Sequence, residues 1–393
     1  MRGMLKQRYR GSWSLVLDDY ETNPATGGRV RKRKWITFRG TRKQAERRLN
    51  ELVHAADRGE LVEPTKMTLG EWLVEWLEKA IKPPRRTQST YDEYLRIVEK
   101  HITPKLGALR LQALKPLDLE AYYTGPTTLA SASVAVHHAI LHSALKAALR
   151  AGLVYRNVAA LAENKPRARK GQSADVLAHV WEAPEARQFL ATAKAAGAQP
   201  AAFYTLAIDS GARKSELAGL KWSDLDVERG RLTIQRQLLK VRRDPEFGPT
   251  KTKRVRTIEL AAETLALLKA HKSHQAEVKI RNRQHYRDHG LIFAKEWGDL
   301  HGRADSLGGP LQVNTIGSRE FDRLIKAAGV RRIKFHGLRH TCATLLLTAG
   351  VQANVVQHRL GHANVTMTLQ VYGHAIPSAQ QDAAARLAAL LHG

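Results

Sequence analysis

Cysteine is almost absent from this chain. Cys342 is the only one among 393 residues, so neither an intrachain disulfide nor a cysteine-based metal cluster can form. Three histidines share one alanine-rich stretch: His137, His138 and His142. No carboxylate or thiol accompanies them at the spacing of metal ligands, so we predict no metal site there.

Long apolar runs are also missing. No stretch of the sequence approaches the roughly 18 apolar residues that a membrane helix needs. The first residues, MRGMLKQRYRGSW, are basic and lack the apolar centre of a signal peptide. We therefore expect a cytosolic protein.

The common hydrolytic and nucleotide-binding motifs do not occur. The sequence has no glycine-rich phosphate loop followed by Lys-Ser/Thr, no Gly-x-Ser-x-Gly and no His-Glu-x-x-His. The chain therefore lacks the usual sequence basis for nucleotide hydrolysis, serine hydrolysis or zinc proteolysis.

Acidic residues are few relative to basic ones. Lysine and arginine number 64 against 37 aspartates and glutamates, which leaves a net charge of +27. This excess does not help folding, because like charges repel each other in the compact state. Nucleic acid is the partner that fits best, since each neutralised phosphate releases condensed counterions.

Residues 1–63 form the first of three segments that differ in character. Stretches 12–18 and 29–38 have the pattern of strands, and a helix should begin at Thr41, with Gln44 placed for a capping box. The second strand carries four consecutive cations: Arg31, Lys32, Arg33 and Lys34. A small basic sheet of this kind suits insertion into a DNA groove, and the alternative is a basic hairpin in solvent.

Residues 67–165 form the second segment, which we expect to be a helical bundle. Thr68 and Glu71 make a capping box ahead of an apolar run, and stretch 129–149 predicts a long helix that Gly152 ends. A basic linker follows, with Arg167, Arg169 and Lys170 as cations that could track a DNA backbone.

Residues 175–393 form the third segment, which is mixed and mainly α. Stretches 232–238 and 255–260 have the pattern of strands joined by a hairpin-like connection, and most of the remainder is helical. The predicted fold class is therefore multidomain and mainly α, with small β elements.

The chemically capable residues of the third segment are cations and histidines. Arg213 lies where a helix begins, a placement that is intelligible if the guanidinium and the positive helix end face a shared anion. His336 and Arg339 are three residues apart and would lie on one face of a helix. Lys251 falls on the turn of the predicted hairpin, and Tyr372 comes ten residues after His362.

The order and local context of these residues resemble the tyrosine recombinases, the family of phage and transposon integrases and Xer-type recombinases. Five boxes carry the resemblance: SGARKSEL at 210–217, PTKTKR with Lys251, HGLRHT with His336 and Arg339, LGH ending at His362, and LQVYGH with Tyr372. The match is poorest at the lysine, where Lys253 competes with Lys251.

The resemblance implies a catalytic role for each matching residue. Tyr372 would be the nucleophile that forms a 3′-phosphotyrosyl link, with Arg213 and Arg339 on the nonbridging phosphate oxygens. Lys251 would be the general acid, His336 the proton acceptor from Tyr372, and His362 a hydrogen-bond donor to the phosphate. Glu216 would orient a neighbouring basic group, and His340 is interpreted as a structural residue. No cofactor is implied.

The resemblance also implies an architecture and partners. Residues 1–63 would be an arm-type DNA-binding domain, 67–165 a SAM-like core-binding domain and 175–393 the catalytic domain. The protein would integrate, and with partners excise, a phage or mobile element as a homotetramer on two DNA duplexes. A DNA-bending protein and an excisionase are the candidate accessory partners, in the nucleoid of the bacterial cytoplasm.

Two other functions stay open on the sequence alone. A type IB topoisomerase nicks and reseals one strand with a similar set of catalytic residues, and a non-catalytic DNA-binding regulator could keep the fold. The last segment leaves a further choice, because the stripe of Ala383, Ala384, Leu387 and Leu390 could contact another protomer or pack on its own domain.

Overall fold

The computed structural model describes residues 2–22, 29–57, 62–125, 129–166, 179–241, 244–296, 307–312, 319–372 and 379–392. The chain divides into two units, Met1–Lys170 and Gly171–Gly393. Among the described helices, none is long and apolar enough to cross a membrane.

A three-stranded antiparallel sheet opens the first unit. Its strands β1 (Arg2–Tyr9), β2 (Ser12–Thr22) and β3 (Arg29–Arg39) lie in that order. The helix α1 (Arg42–Asp57) covers one face, and Leu15, Leu17, Ala45 and Leu49 form the core between them. The expected capping box is present, because Thr41 and Gln44 exchange hydrogen bonds of 2.9 and 3.3 Å.

Arg33 and Lys34, the two cations of β3 whose side chains the structure describes, lie on opposite faces of the sheet. Successive residues of a strand point to opposite faces. Lys34 pairs in register with the core residue Leu17 and so lies on the face that α1 covers, whereas Arg33 lies on the open face, 3.1 Å from Asp18. The side chains of Arg31 and Lys32 lie outside the described residues.

The rest of the first unit is a helical bundle. Its helices are α2 (Leu69–Trp76), α3 (Gln88–Ile97), α4 (Thr103–Leu106), α5 (Pro116–Thr124), α6 (Ser131–Arg150) and α7 (Val158–Leu161). Thr68 and Glu71 cap α2 as expected. The indole of Trp72 donates to the carbonyl of Ala144 at 2.9 Å, which joins α2 to the long helix α6. Two of the α6 histidines, His137 and His138, bond to tyrosine hydroxyls of α5.

The second unit is mainly helical around an aromatic core. Its helices are α8 (Ala183–Ala195), α9 (Ala198–Ser210), α10 (Lys214–Leu217), α11 (Ala262–Arg281), α12 (Arg319–Ala328), α13 (His336–Thr348), α14 (Ala353–Leu360), α15 (Val365–Tyr372) and α16 (Ala379–His392). Rings of Trp181, Phe189, Tyr204, Phe321 and Phe335 contact one another inside it. This core supports α9 and α13, which carry or flank the candidate active-site residues.

The strands of this unit differ from the predicted hairpin. They are β4 (Leu225–Asp226), β5 (Arg231–Ile234), β6 (Arg236–Lys240), β7 (Glu246–Pro249) and β8 (Arg256–Glu259). The chain breaks the expected first strand at Gln235, so that β5 pairs with β8 and β6 pairs with β7. Lys251 therefore lies in the β7–β8 connection and not on the hairpin turn, which is a correction.

The β7–β8 connection is a tight turn with a local cause. The backbone N–H of Lys253 donates to the carbonyl of Thr250 at 2.8 Å, and Lys253 adopts a left-handed φ of 55°. The buried Thr250 hydroxyl donates to the carbonyl of Arg254 at 2.9 Å. These bonds fold the chain back, so Lys251 and Lys253 both reach solvent.

Candidate active site

Arg213 is set in place by the turn between α9 and α10. Gly211 ends α9 with a left-handed φ of 58°, where a side chain would be strained. A Cβ there would also lie 2.5 Å from Leu360. The chain can therefore turn tightly against α14, and Arg213 becomes the residue that precedes the first turn of α10.

Glu216 holds two arginines in the interior of the second unit. Its carboxylate accepts from the Arg213 backbone N–H at 3.0 Å and from Arg213 Nη1 at 2.8 Å. It also accepts from Arg256 Nη2 at 2.7 Å. Burial opposes ionisation of this carboxyl, yet the hydrogen bond and charge of Arg256, with Arg213, hold its pKa below the usual value. Glu216 is therefore an anion that orients Arg213.

Arg256 belongs to this group as well, although the sequence analysis did not predict it as a site residue. Its side chain is 2% exposed, and its Nε donates to the carbonyl of Arg359 at 2.9 Å. It thus joins Glu216 to the end of α14, next to Gly361. The sequence contained a signal for it, because Arg256 and Ile258 alternate with exposed residues and so lie on the buried face of β8. A cation on a buried face needs a buried partner.

Arg339 presents an unsatisfied cation to the site. It is 3% exposed, and its Nη1 donates to the carbonyl of Gly211 at 2.7 Å. Its Nη2 is buried and has no hydrogen-bond partner among the described residues. Burial lowers the pKa of Arg339 to about 10, so the group stays charged at neutral pH. A buried donor without a partner is costly, and an anion bound there would remove that cost.

Tyr372 ends α15 and is almost completely enclosed, with 1% of its surface exposed. Burial raises the pKa of its hydroxyl, and the nearby charge of Arg339 opposes that rise. The hydroxyl lies 2.5 Å from Nδ1 of His340. The ring of His336 lies 4.8 Å from that of His340, edge to face.

This contact involves a histidine that was interpreted as structural. The resemblance implies His336 as the acceptor of the tyrosine proton, whereas the histidine that lies against the hydroxyl is His340. No local sequence pattern predicts this contact, because His340 and Tyr372 are 32 positions apart and meet only when α13 and α15 pack together.

His362 lies just after the end of α14. Gly361 has a left-handed φ of 67°, and its carbonyl lies 3.5 Å from Arg213 Nη2. His362 Nδ1 lies 2.8 Å from the hydroxyl of Thr368. Burial, followed by the charges of Arg339 and Arg213, lowers the pKa of His362 to about 3.

The other two histidines are also neutral at physiological pH. Burial lowers the pKa of His336 to about 4, and the charges of Arg339, Arg213, Lys214 and Lys251 add to that effect. Burial and the neighbouring His336 lower the pKa of His340 to about 4. Each ring can therefore accept one hydrogen bond and donate another.

The charge of Lys251 makes the smallest of these contributions to the lowered pKa of His336. The linker cations Arg167, Arg169 and Lys170 lie outside the described residues. Among the described residues, no group of three or more acidic, histidine or cysteine side chains could hold a metal ion. The site combines anion-binding arginines, an enclosed hydroxyl and a neutral imidazole against that hydroxyl, which suits transfer of a phosphoryl group to tyrosine.

Two family models match the chain. The model of the phage integrase family matches residues 180–378, which is half of the chain. The model of the N-terminal SAM-like domain of phage integrases matches residues 68–125. The first match spans Arg213, His336, Arg339, His362 and Tyr372 together.

Two of the curated relatives illustrate matches over most of both chains. A tyrosine recombinase XerC-like protein of Caldanaerobacter subterraneus subsp. tengcongensis is 25% identical over 87% of this chain and 88% of its own. An integrase of Streptomyces ambofaciens is 27% identical over 94% of both chains.

Solved structures share the fold. The Tn1549 transposon integrase in complex with transposon right end DNA has a TM-score of 0.64 at 21% identity, and the match covers 82% of this chain and all of that one. A lambda integrase tetramer bound to a Holliday junction has a TM-score of 0.57 at 20% identity, with 93% and 94% covered.

Proposed function

The chain belongs to the phage integrase family of tyrosine recombinases, and from that premise we propose that Tyr372 is the nucleophile with which it cleaves DNA. The protein is a tyrosine site-specific recombinase, an enzyme that integrates DNA by breaking and rejoining strands. The observation that carries the proposal is the enclosed Tyr372 hydroxyl on an imidazole, in the same site as a buried Arg339 whose Nη2 has no hydrogen-bond partner among the described residues.

Strand cleavage begins with attack of the Tyr372 oxygen on the scissile phosphorus. A bond forms between that oxygen and phosphorus, the bond to the 5′-oxygen breaks, and a 3′-phosphotyrosyl link results. Arg213 and Arg339 stabilise the charge on the nonbridging oxygens, because guanidinium groups bind phosphate through directional, charge-assisted hydrogen bonds. His362 donates a hydrogen bond to the same phosphate. Lys251 gives a proton to the leaving 5′-oxygen, and Lys253 is the alternative donor.

Rejoining reverses these steps. A 5′-hydroxyl of the other duplex attacks the phosphotyrosyl phosphorus, the tyrosine–phosphorus bond breaks, and the recombinant strand forms. One phosphodiester is exchanged for another through the covalent intermediate, so the cycle needs no ATP and no cofactor. The same cations stabilise the phosphate in both directions.

DNA is the partner, and residues outside the catalytic unit would bind it. We assign arm-type DNA binding to residues 1–63, with Arg33 on the open sheet face, core-site binding to 67–165 and catalysis to 175–393. The linker cations and Arg31 and Lys32 are proposed DNA contacts on their charge alone. The recombinase would act in the bacterial cytoplasm, on the nucleoid.

A homotetramer on two duplexes is the proposed assembly. The related lambda integrase has been solved as a tetramer bound to a Holliday junction. In this chain Leu387 and Leu390 of α16 are 57% and 83% exposed, so they do not pack on their own unit. Exposed leucines in a row suit a contact with a neighbouring protomer. A DNA-bending protein and an excisionase would set the direction of the reaction.

The test is a two-site plasmid assay. The attachment sites are identified as paired repeats around a short spacer in the DNA that flanks the coding sequence. Recombination should exchange or delete the DNA between two sites, and Tyr372→Phe should abolish the product. Relaxation of supercoils without exchange would favour a topoisomerase, and binding without either activity would favour a non-catalytic regulator.

A further inference from the structure

The Tyr372 hydroxyl has to lose its proton when its oxygen bonds to phosphorus, and the enclosed site limits where that proton can go. With 1% of its surface exposed, the tyrosine has little access to solvent as an acceptor. We propose that His340 accepts the Tyr372 proton during strand cleavage and returns it during rejoining. This inference rests on the proposed function and adds a catalytic residue to it.

Geometry selects His340 over His336. Nδ1 of His340 lies 2.5 Å from the tyrosine oxygen, within reach of a direct proton transfer. His336 lies one helical turn earlier on α13 and touches the ring of His340 edge to face. Its role is to position His340, because an aromatic neighbour on one side restricts the rotation of that ring.

The protonation state of His340 suits an acceptor. A neutral imidazole carries one proton and one lone pair, whereas an imidazolium donates from both nitrogens and accepts nothing. The pKa of His340 is lowered to about 4 by burial and by the neighbouring His336 and Arg339. The ring is therefore neutral at physiological pH, and Nδ1 accepts from the tyrosine when the proton sits on Nε2.

The same environment sets the timing of the transfer. A weakly basic imidazole does not deprotonate a phenol of raised pKa before attack. As the oxygen–phosphorus bond forms, however, the phenolic oxygen becomes far more acidic. The bound phosphate also offsets the charge of Arg339, which disfavours an imidazolium at His340. The O–H bond therefore breaks as the O–P bond forms, and the proton resides on His340 until rejoining.

The decisive comparison uses His340→Asn, because the Asn carbonyl can occupy the position of Nδ1. This variant keeps a hydrogen-bond acceptor for the tyrosine but cannot take its proton at neutral pH. We expect single-turnover cleavage of a nicked suicide substrate to slow by about 10²–10⁴-fold. His336→Asn makes the same substitution one turn earlier on the same helix, at a residue without the contact to the hydroxyl, and is the control that should slow cleavage less.

Rescue by a more acidic phenol separates proton transfer from positioning. A trifluorotyrosine placed at position 372 loses its proton without a strong base. It should restore most of the cleavage rate in His340→Asn and little in Lys251→Ala. A 5′-bridging phosphorothiolate substrate should do the reverse, because it removes the need for a general acid.

Defined results would overturn the inference. Cleavage by His340→Asn at the wild-type rate would show that only a hydrogen bond is needed, and so would a slow variant that trifluorotyrosine leaves unchanged. DNA retention and the midpoint of thermal unfolding report folding, and His340→Gln replaces any variant that fails them. Absence of adduct with the wild-type chain would instead contradict the proposed function itself.

Discussion

Replacing Arg256 with methionine is expected to lower the free energy of unfolding of the catalytic unit. It should also disturb the orientation of Arg213, since both arginines bind Glu216. Methionine fills a similar volume without charge, so packing is largely kept. The change removes a guanidinium that contacts both oxygens of Glu216 at 2.7 and 3.4 Å. It also leaves the carbonyl of Arg359 without its donor.

The magnitude follows from the burial of this pair. The side chain of Arg256 is 2% exposed and that of Glu216 is 0% exposed, so solvent screens the interaction little. Removal of one partner of a buried ion pair costs about 3–5 kcal/mol. Arg213 remains as a second partner for Glu216, which places the expected loss near 3 kcal/mol, at the low end of that range.

Two further variants test whether the loss arises from the pair. Glu216→Gln should be destabilising, because it leaves two arginines facing each other. The double variant Arg256→Met, Glu216→Gln removes both charges and should cost clearly less than the sum of the single losses. Urea unfolding, read from the protease resistance of peptides within residues 179–372, measures the unit that contains the pair.

Additive losses would refute the reasoning. If the double variant equals the sum of the single variants within about 0.5 kcal/mol, the two side chains are not coupled. The pH dependence supplies a second check. Because the folded pKa of Glu216 is lowered, its stabilisation is present above the unfolded value of about 4.3 and is lost as pH falls through the folded value. Wild type and Glu216→Gln should therefore converge in acid.

Three further outcomes are expected. Lys251→Ala should lose cleavage of an ordinary substrate and recover on a 5′-bridging phosphorothiolate, and failure to recover would move the general acid to Lys253. Gly361→Ala should lower the thermal unfolding midpoint, because the position has a φ of 67° and a Cβ would lie 2.9 Å from Arg256; an unchanged midpoint would contradict the crowding. Filter binding at several salt concentrations gives the slope of log affinity for arm-site DNA against log salt concentration. Arg33→Ala should reduce the magnitude of that slope by about one, whereas the control Lys34→Ala, on the covered face, should change it less.

Local features of the fold could be predicted from the sequence. The capping boxes at Thr41 and Thr68 depend on residues three positions apart, and the structure confirms both. The helix that carries His336 and Arg339 and the long helix α6 are also present. Propensity and short-range hydrogen bonding determine these features, so a short window of sequence contains enough information.

The features that could not be predicted depend on contacts between residues far apart in the sequence, or lie in stretches that mix charged and apolar residues. Polar and apolar residues alternate too weakly along β1 to predict a strand. Only the pairing of β1 with β2 defines it. The split of the expected hairpin strand at Gln235 depends on two different partners, β8 and β7. Arg256 and His340 likewise gained their importance from side chains on other elements.

The central claim is tested most directly by locating the covalent bond. The full chain is incubated with a nicked suicide substrate of its attachment site, and the adduct is digested and sequenced by mass spectrometry. We predict a 3′-nucleotide on the peptide that contains Tyr372, and no adduct with Tyr372→Phe. A nucleotide on another residue, or an adduct that persists in Tyr372→Phe, would contradict the claim.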